Sequence, residues 1–309
     1  MRDPIDRRGA LTCMLWAGSG VLWTVTGGVP RSSMLAGAQA DTPETTGDLA
    51  FVQISDSHIG FRNPPNPDPA GTLGEAIELA RQRRDGAELL IHTGDVSHLS
   101  RPAEFDTAEQ LIRGAGLQPH YVPGEHDVLV DNGRSFLERF MPGAREGGWY
   151  SFDQRGVHFI GLNNVMDLRA GGLGHLGEPQ LAWLEDDLRG RPASQPIVVF
   201  AHVPLWTVYQ QWGWGTEDGA RALGHLRRFG SVTVLNGHIH QVMQKVEGNL
   251  AFHTAMSTAF PQPAPGTAPS PGPIRDLPAG RLRPLLGIAT IRAAQGPQPL
   301  AIIDTPLGA

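Results

Sequence analysis

The sequence predicts an α/β fold whose reactive side chains collect at the carboxyl ends of its strands. Short apolar runs alternate with segments of helical spacing over the first two thirds of the chain, and strand-like runs follow alone. Five of the apolar runs stop at Gly, Ala or Ser and then present Asp or His. In open α/β sheets the loops at those strand ends form the ligand crevice.

The chain opens on a leader, residues 1–40. It carries the pair Arg7-Arg8, an apolar run from Ala10 to Val29 and the ending Ala38-Gln39-Ala40, which matches an A-x-A cleavage site. A retained membrane anchor is the alternative. The Gly-rich, weakly apolar run and its small-residue ending favour a signal cleaved after Ala40. Arg7-Arg8 beside Gly9 resembles a bacterial twin-arginine export signal, which implies export machinery as a partner and a periplasmic or secreted protein. The single cysteine, Cys13, lies in this leader, so residues 41–309 offer neither disulfides nor thiolate ligands.

Residues 41–309 read as one domain. "LAFVQIS" (49–55) is a strand, and after the loop "FRNPPNPDP" comes a helix in "TLGEAIELARQRR". "ELLIHT" (88–93) is a buried strand and "PAEFDTAEQLIRGAG" (102–116) a helix with Pro102 in its first turn. "HYVPG" is a short strand and "GRSFLERFM" a short helix. Residues 147–164 alternate on both sides of Asp153-Gln154-Arg155-Gly156, a β-hairpin pattern. "GEPQLAWLEDDLRG" (177–190) is a helix, "PIVVFAH" (196–202) an apolar strand, "DGARALGHLRRFG" a helix and "SVTVLNGHIH" a buried strand. "QVMQKVEG", "NLAFHTAMS", "LLGIATIRAA" and "QPLAIID" complete the β-structure. The Pro-rich insertion 261–283, densest over 261–273, suits neither strand nor helix and reads as a flexible insertion or an extended surface strap.

The formal net charge is −6, Lys245 is the only lysine, and the leader holds four of the arginines, so the remainder is more acidic still. This argues against a nucleic-acid binding surface. No second apolar run is long enough to span a bilayer after the signal.

The strand ends are Asp56-Ser57-His58, Gly94-Asp95, Gly124-Glu125-His126-Asp127, Ala201-His202 and Gly237-His238-Ile239-His240. Turn and cap formation accounts for any one of them, but not for histidine at four of five. Carboxylate and imidazole donors without thiolate suit Zn, Mn or Fe in sites that keep positions open for water. Asp-x-His and His-x-His let one extended piece supply two ligands from one side, and the preceding glycines permit a close approach of the backbone. Seven candidate ligands are too many for one tetrahedral ion and suit two bridged ions.

"DSH", "GDVSH", "GEHD", "AHVP" and "GHIH", in this order and each after a strand, resemble the signature of the calcineurin-like metallophosphoesterases, from about Phe51 to His240. The resemblance implies a four-layer α/β/β/α sandwich of two mixed sheets. It also implies a dinuclear site for two transition-metal ions (Fe, Mn or Zn) and a small-molecule phosphoester substrate. Asp56, His58 and His240 would hold one ion, His202 and His238 the other, with Asp95 bridging. A water bridging the ions would attack phosphorus in line, and His126, oriented by Asp127, would protonate the leaving oxygen.

The chain departs from that pattern at Glu125, where the family usually has Asn. Glu125 either ligates the second ion directly, which would favour Fe or Mn, or reaches past it as a base, or weakens the second site. The intact His126-Asp127 favours the first. A phosphodiesterase is therefore expected, with a phosphomonoesterase or a non-catalytic metal or phosphate-ester binding protein as alternatives. His98 in "GDVSH" can face the site or support a ligand. Trp206, Tyr209, Trp212 and Trp214 follow His202 in a loop that either contacts substrate, Trp206 and Trp212 first, or packs on itself. Asn163 and Asn164 end the hairpin, near the crevice. His92 and His158 read as satisfied core histidines, His120, His175 and His225 as surface or capping residues, and His253 has no assigned role.

Overall fold

Residues 21–26, 29–34, 49–84, 86–292 and 300–308 are described by the structure, a computed structural model, and the chain divides into two compact units, 1–42 and 43–309. In the first, β1 (Val21–Thr26) and β2 (Val29–Met34) pair antiparallel, Val21 opposite Met34 and Thr26 opposite Val29. Arg7-Arg8, Cys13 and Ala38-Gln39-Ala40 lie outside the described residues.

The second unit begins with β3 (Ala50–Ile54), α1 (Pro69–Arg83), β4 (Leu89–His92), α2 (Pro102–Arg113), β5 (Gln118–Tyr121) and α3 (Arg134–Phe140). β6 (Tyr150–Gln154), β7 (Val157–Gly161), α4 (Glu178–Leu188), β8 (Ile197–Ala201), α5 (Gly219–Leu226) and β9 (Val232–Asn236) follow. β10 (Gln244–Glu247), β11 (Leu250–Thr254), β12 (Gly287–Arg292) and β13 (Ala301–Pro306) close the chain. One sheet has the order β13-β12-β3-β4-β5 and the other β10-β11-β9-β8-β7-β6. β3, β4 and β5 run parallel, as do β7, β8, β9 and β11, while β12 runs antiparallel to both β3 and β13, β6 to β7 and β10 to β11, so both sheets are mixed.

Successive side chains on a strand leave by opposite faces, which sorts each buried strand between two cores. Phe51 of β3 meets Phe159 of β7 edge-to-face at 5.4 Å, and with Leu89, Ile91, Val198, Phe200 and Leu235 they fill the space between the sheets. Val52 and Ile54 face outward and pack with Leu73, Ile77, Phe105 and Ile112 of α1 and α2. On the other side Ile197, Val199 and Ala201 pack with Leu181, Leu184, Leu223 and Leu226 of α4 and α5. The result is the four-layer α/β/β/α sandwich. Strands buried on both faces need continuous apolar runs, which is why these strands lack a polar alternation.

Local chemistry fixes the element ends. Asp68 accepts the Gly71 N–H at 3.0 Å and caps α1, and Pro69, Pro102 and Pro179 occupy first turns, where a missing N–H costs nothing. The β6–β7 hairpin turns through Arg155 at φ +48 and Gly156 at φ +78, the left-handed pair that a tight two-residue turn requires. Among the described residues, no helix is long and apolar enough to cross a membrane.

Phe159 is fully buried between the sheets. Phe159→Ala is expected to cost about 3–5 kcal/mol through lost burial and the cavity left behind. Denaturant unfolding reads this as a lower midpoint at unchanged slope; an unchanged midpoint would mean that the inter-sheet core is not the main stabilising layer.

Candidate metal centre

Five parallel strands from both sheets end at one rim. The loop after β3 presents Asp56 and His58, held when the Asp56 N–H donates to the Gly94 carbonyl at 3.0 Å and the His58 N–H to the Asp95 carbonyl at 2.9 Å. The loop after β4 presents Asp95 and that after β5 Glu125 and His126. β8 leads into His202, and β9 into His238 and His240. Gln53 ties the two sheets together beneath them, donating to the Thr93 hydroxyl at 3.1 Å and the Asn236 carbonyl at 3.2 Å.

The backbone is strained at this rim. Asp56, His58, Asp95, His238 and His240 all have positive φ, between 39° and 70°, a region L-residues with side chains rarely enter. Such strain persists only where surrounding structure enforces it, and it clusters at functional sites. The preceding glycines serve two purposes. Gly94, at φ +94, takes a conformation that favours glycine, and a Cβ there would also strike the His202 ring. Gly124 and Gly237 need only space: a Cβ would collide with the Asp95 carboxylate at one and with Ser55 and Asp56 at the other.

The side chains form two triads joined by one carboxylate. Asp56 Oδ1 lies 3.2 Å from His240 Nε2, which is 3.2 Å from His58 Nε2. Glu125 spans the second triad, with Oε1 3.0 Å from His238 Nδ1 and Oε2 2.9 Å from His202 Nε2. Asp95 Oδ2 sits between the triads, 3.4 Å from His58 Nε2 and 3.5 Å from His202 Nε2. Among the described residues, the ion-pair partners of Asp56, Asp95 and Glu125 are histidines alone. Three crowded carboxylates without lysine or arginine need another cation.

The imidazole tautomers show where that cation belongs. His202 Nδ1 donates to the Thr93 carbonyl at 2.7 Å and His240 Nδ1 to the Phe260 carbonyl at 2.6 Å, which turns both Nε2 atoms toward the carboxylates. Outer partners of this kind orient metal-ligating histidines. His202 Nε2 and Glu125 Oε2 are buried without a hydrogen-bond partner although they face each other. The donor set of imidazole and carboxylate, with unpartnered atoms converging, fits metal ions.

Without an ion, charge among these groups is carried by protons. Burial alone would depress His202, but Asp95 and Glu125 outweigh it and hold the imidazole well above its ordinary range. Burial would raise Glu125, yet His238 and His202 keep it well below the usual carboxylate range. Asp56 is held at about 2 against its burial by the charges of His240 and His202. Burial, followed by the charges of His126, His240 and His98, keeps His58 well below its ordinary value, as a neutral ligand requires.

The calcineurin-like phosphoesterase family profile matches residues 49–242, from the start of β3 to just beyond His240. The chain belongs to this family. Over 162 residues it is 25% identical to a probable cyclic nucleotide phosphodiesterase of Rhodopseudomonas palustris, covering 50% of this chain and 57% of that protein. Over 142 residues it is 30% identical to acid phosphatase type 7 of Mus musculus, covering 41% of this chain and 32% of that protein. The chain thus spans less than two thirds of the length of either relative. In fold it resembles a dimetal phosphatase from Danio rerio, with TM-score 0.62 at 15% identity, covering 83% of this chain and 98% of that chain.

In this calcineurin-like phosphoesterase the seven expected ligands meet, and His98 and His126 join them. The His98 ring lies 3.4 Å from His58 Nδ1 and stacks on His126 at 4.8 Å, while its carbonyl accepts the His126 Nδ1–H at 2.7 Å. Asp127 requires a correction, because it does not orient the His126 ring. Its carboxylate accepts the N–H groups of Val96, Ser97 and Gly124 and the Ser97 hydroxyl, and so ties the Asp95 loop to the Glu125 loop. The expectation failed because adjacency in sequence says nothing of where two side chains of a turn point.

Trp212 lines the cleft, but Trp206 does not: it packs on Phe252 at 4.8 Å within the outer core. Tyr209, Trp212 and Trp214 also pack on one another, so the loop is both self-packed and a wall of the cleft. Asn164 does not line this cleft; it clamps Val203, donating to its carbonyl at 2.7 Å and accepting its N–H at 3.2 Å. His158 is satisfied by Asp153 and Asp187, and His253 faces Asp304 at 3.0 Å. Sequence reading missed Phe61, Phe260 and Gln262. Phe260 stacks on His58 at 4.8 Å, and Pro271, Gly272 and Pro273 make the supposed surface strap a wall of the site. The only signal was proximity of "AFPQP" to the Pro-rich run, which carries no chemistry of its own.

Asp95 and Glu125 hold the His202 imidazole well above its ordinary value, so a cation that takes this nitrogen competes with a proton. Metal uptake is expected to release protons at pH 7, and apparent affinity to fall as pH drops. Calorimetric titration with Mn in buffers of different ionisation enthalpy measures the release; a heat independent of buffer would refute it.

Proposed function

We propose that the protein is a metal-dependent phosphoester hydrolase with two transition-metal ions, acting on phosphodiesters. The observation that carries this is Asp95 Oδ2 lying between the His58 and His202 Nε2 atoms, at 3.4 and 3.5 Å, as a carboxylate shared by two ligand triads. Asp56, His58 and His240 would hold one ion, and His202, His238 and Glu125 the other. Glu125 supports direct ligation, since its two oxygens reach His238 and His202 rather than passing beyond them. Bound there, the cations supply Lewis-acid activation of the phosphoryl group and of an attacking water.

His126 faces the same cleft with Nδ1 fixed on the His98 carbonyl, which leaves Nε2 free. Burial would lower its pKa, but Asp95 and Glu125 raise it above the ordinary value, so the ring holds a proton more firmly than a free imidazole. As the water oxygen bonds to phosphorus and the bond to the leaving oxygen breaks, Nε2–H would give that oxygen its proton, and the proton shed by the water restores the imidazolium. An alkoxide leaving group needs this proton, which supports a diester substrate.

Elemental analysis of protein purified without chelator is expected to find about two transition-metal ions per chain. His126→Ala should keep them and lower turnover of a diester with an alkyl leaving group by roughly a hundred- to ten-thousandfold. A p-nitrophenyl ester, whose leaving group departs unprotonated, should lose much less. One ion or fewer, not restored by Mn or Fe, would favour a binding protein, and equal losses for both esters would remove His126 as the acid.

The proposal includes export to the periplasm or medium, supported by Arg7-Arg8 and the Ala38-Gln39-Ala40 ending. Fractionation should find the exported chain beginning at Asp41 and an Arg7→Lys, Arg8→Lys variant kept in the cytoplasm. Unchanged export of that variant would sink the twin-arginine route.

A further inference from the structure

The cleft above the ligand triads has a volume of about 260 Å³, and its walls are chemically uneven. Phe61, Trp212, Phe260, Pro271 and Pro273 supply apolar surface around a floor of carboxylates and imidazoles. Among the described residues, no lysine or arginine lines it. Beyond the ions and His126 that serve the reacting phosphoryl group, a second phosphate or a carboxylate on the substrate would therefore find no guanidinium or ammonium partner in the cleft lining. Glu125 adds a negative charge where the family pattern has an amide, which disfavours a dianionic monoester more than a singly charged diester.

The apolar wall is built rather than loose. Gln262 donates to the His238 carbonyl at 2.9 Å while its own oxygen accepts the Gly272 N–H at 3.0 Å, so the Pro-rich strap is fastened to the loop bearing two ligands. Gln241 donates to the Pro263 carbonyl at 3.0 Å, and the Ile274 N–H to the Pro261 carbonyl at 3.1 Å closes the strap on itself. Ala268 of the strap packs against Trp212, Trp214 and Ile239. Trp212 keeps 8% of its surface exposed, and Pro271 and Pro273 border the same cleft. Rigid rings that flank a narrow opening contact a flat apolar group at little entropic cost.

We propose, resting on the hydrolase reading above, that the substrate is a singly charged phosphodiester whose non-leaving substituent is a flat apolar group. It seats against Trp212 and the Pro271–Pro273 stretch of the strap. The strap, fastened through Gln262 to the loop that bears His238 and His240, is thus the specificity element of this chain.

Three probes test this with the Mn-loaded protein: phenyl p-nitrophenyl phosphate, methyl p-nitrophenyl phosphate and p-nitrophenyl phosphate. The two diesters carry the same charge and release the same phenolate, so they differ in the retained group alone. The phenyl diester is expected to exceed the methyl diester in kcat/KM by about tenfold or more, and the monoester by a similar factor. In Trp212→Leu, and separately in a Pro271→Gly, Pro273→Gly variant, the phenyl-to-methyl ratio should fall below about threefold. The second variant keeps the test open if the first fails to fold. Equal rates for the two diesters, or a ratio that survives both variants, would overturn the proposal while leaving the hydrolase reading intact; a preferred monoester would overturn the proposal and the diester preference together. No phenolate from any probe would overturn both.

Discussion

Three carboxylates, Asp56, Asp95 and Glu125, crowd together at the rim of the sandwich with imidazoles as their sole ionic partners among the described residues. Gathering like charges away from water is unfavourable unless cations neutralise them. The rest of the site follows from that constraint. Carbonyls of Thr93 and Phe260 anchor Nδ1 of His202 and His240 so that both Nε2 atoms face the acids. Asp56, His58, Asp95, His238 and His240 accept left-handed backbone conformations at this rim.

The sandwich makes the strain tolerable. Two mixed sheets share an apolar interior of Phe51, Phe159, Phe200 and their neighbours, and each is backed by helices. Parallel strands of both sheets end at one rim, and Gln53 links the sheets directly under it. Behind the loops, the Ser257 hydroxyl donates to the Asp56 carbonyl at 2.8 Å and the Thr258 N–H to the Ser55 carbonyl at 3.0 Å. Asp127 does the same for the other half of the site, gathering four donors from two loops. Its buried carboxylate acts as a loop tie, a role distinct from catalysis.

Glu125, the departure from the family pattern, and the Pro-rich strap shape the cleft in complementary ways. Glu125 spans two histidines with its two oxygens, filling the position that an amide would take and adding charge to the floor of the cleft. The strap adds apolar surface above that floor, anchored through Gln262 to the loop carrying His238 and His240. Charge below and rings above are the two features on which the proposed choice among phosphoesters rests.

From residue 49 onward, the sequence by itself determined the order of strands and helices, the strand ends and the seven positions that meet at the rim. Each depends on local facts: apolar runs, glycine at close approaches, Asp and His at fixed spacing. Residues 56, 58, 95, 125, 202, 238 and 240 could therefore be placed at one rim before any coordinates. Tertiary structure alone decided which atoms face which. Asp127 follows His126 in sequence but points at another loop, Trp206 and Trp212 belong to one aromatic run but only Trp212 reaches the cleft, and Phe260 enters from far along the chain. Side-chain direction in turns depends on long-range hydrogen bonds and packing, and a spacing pattern carries no record of them.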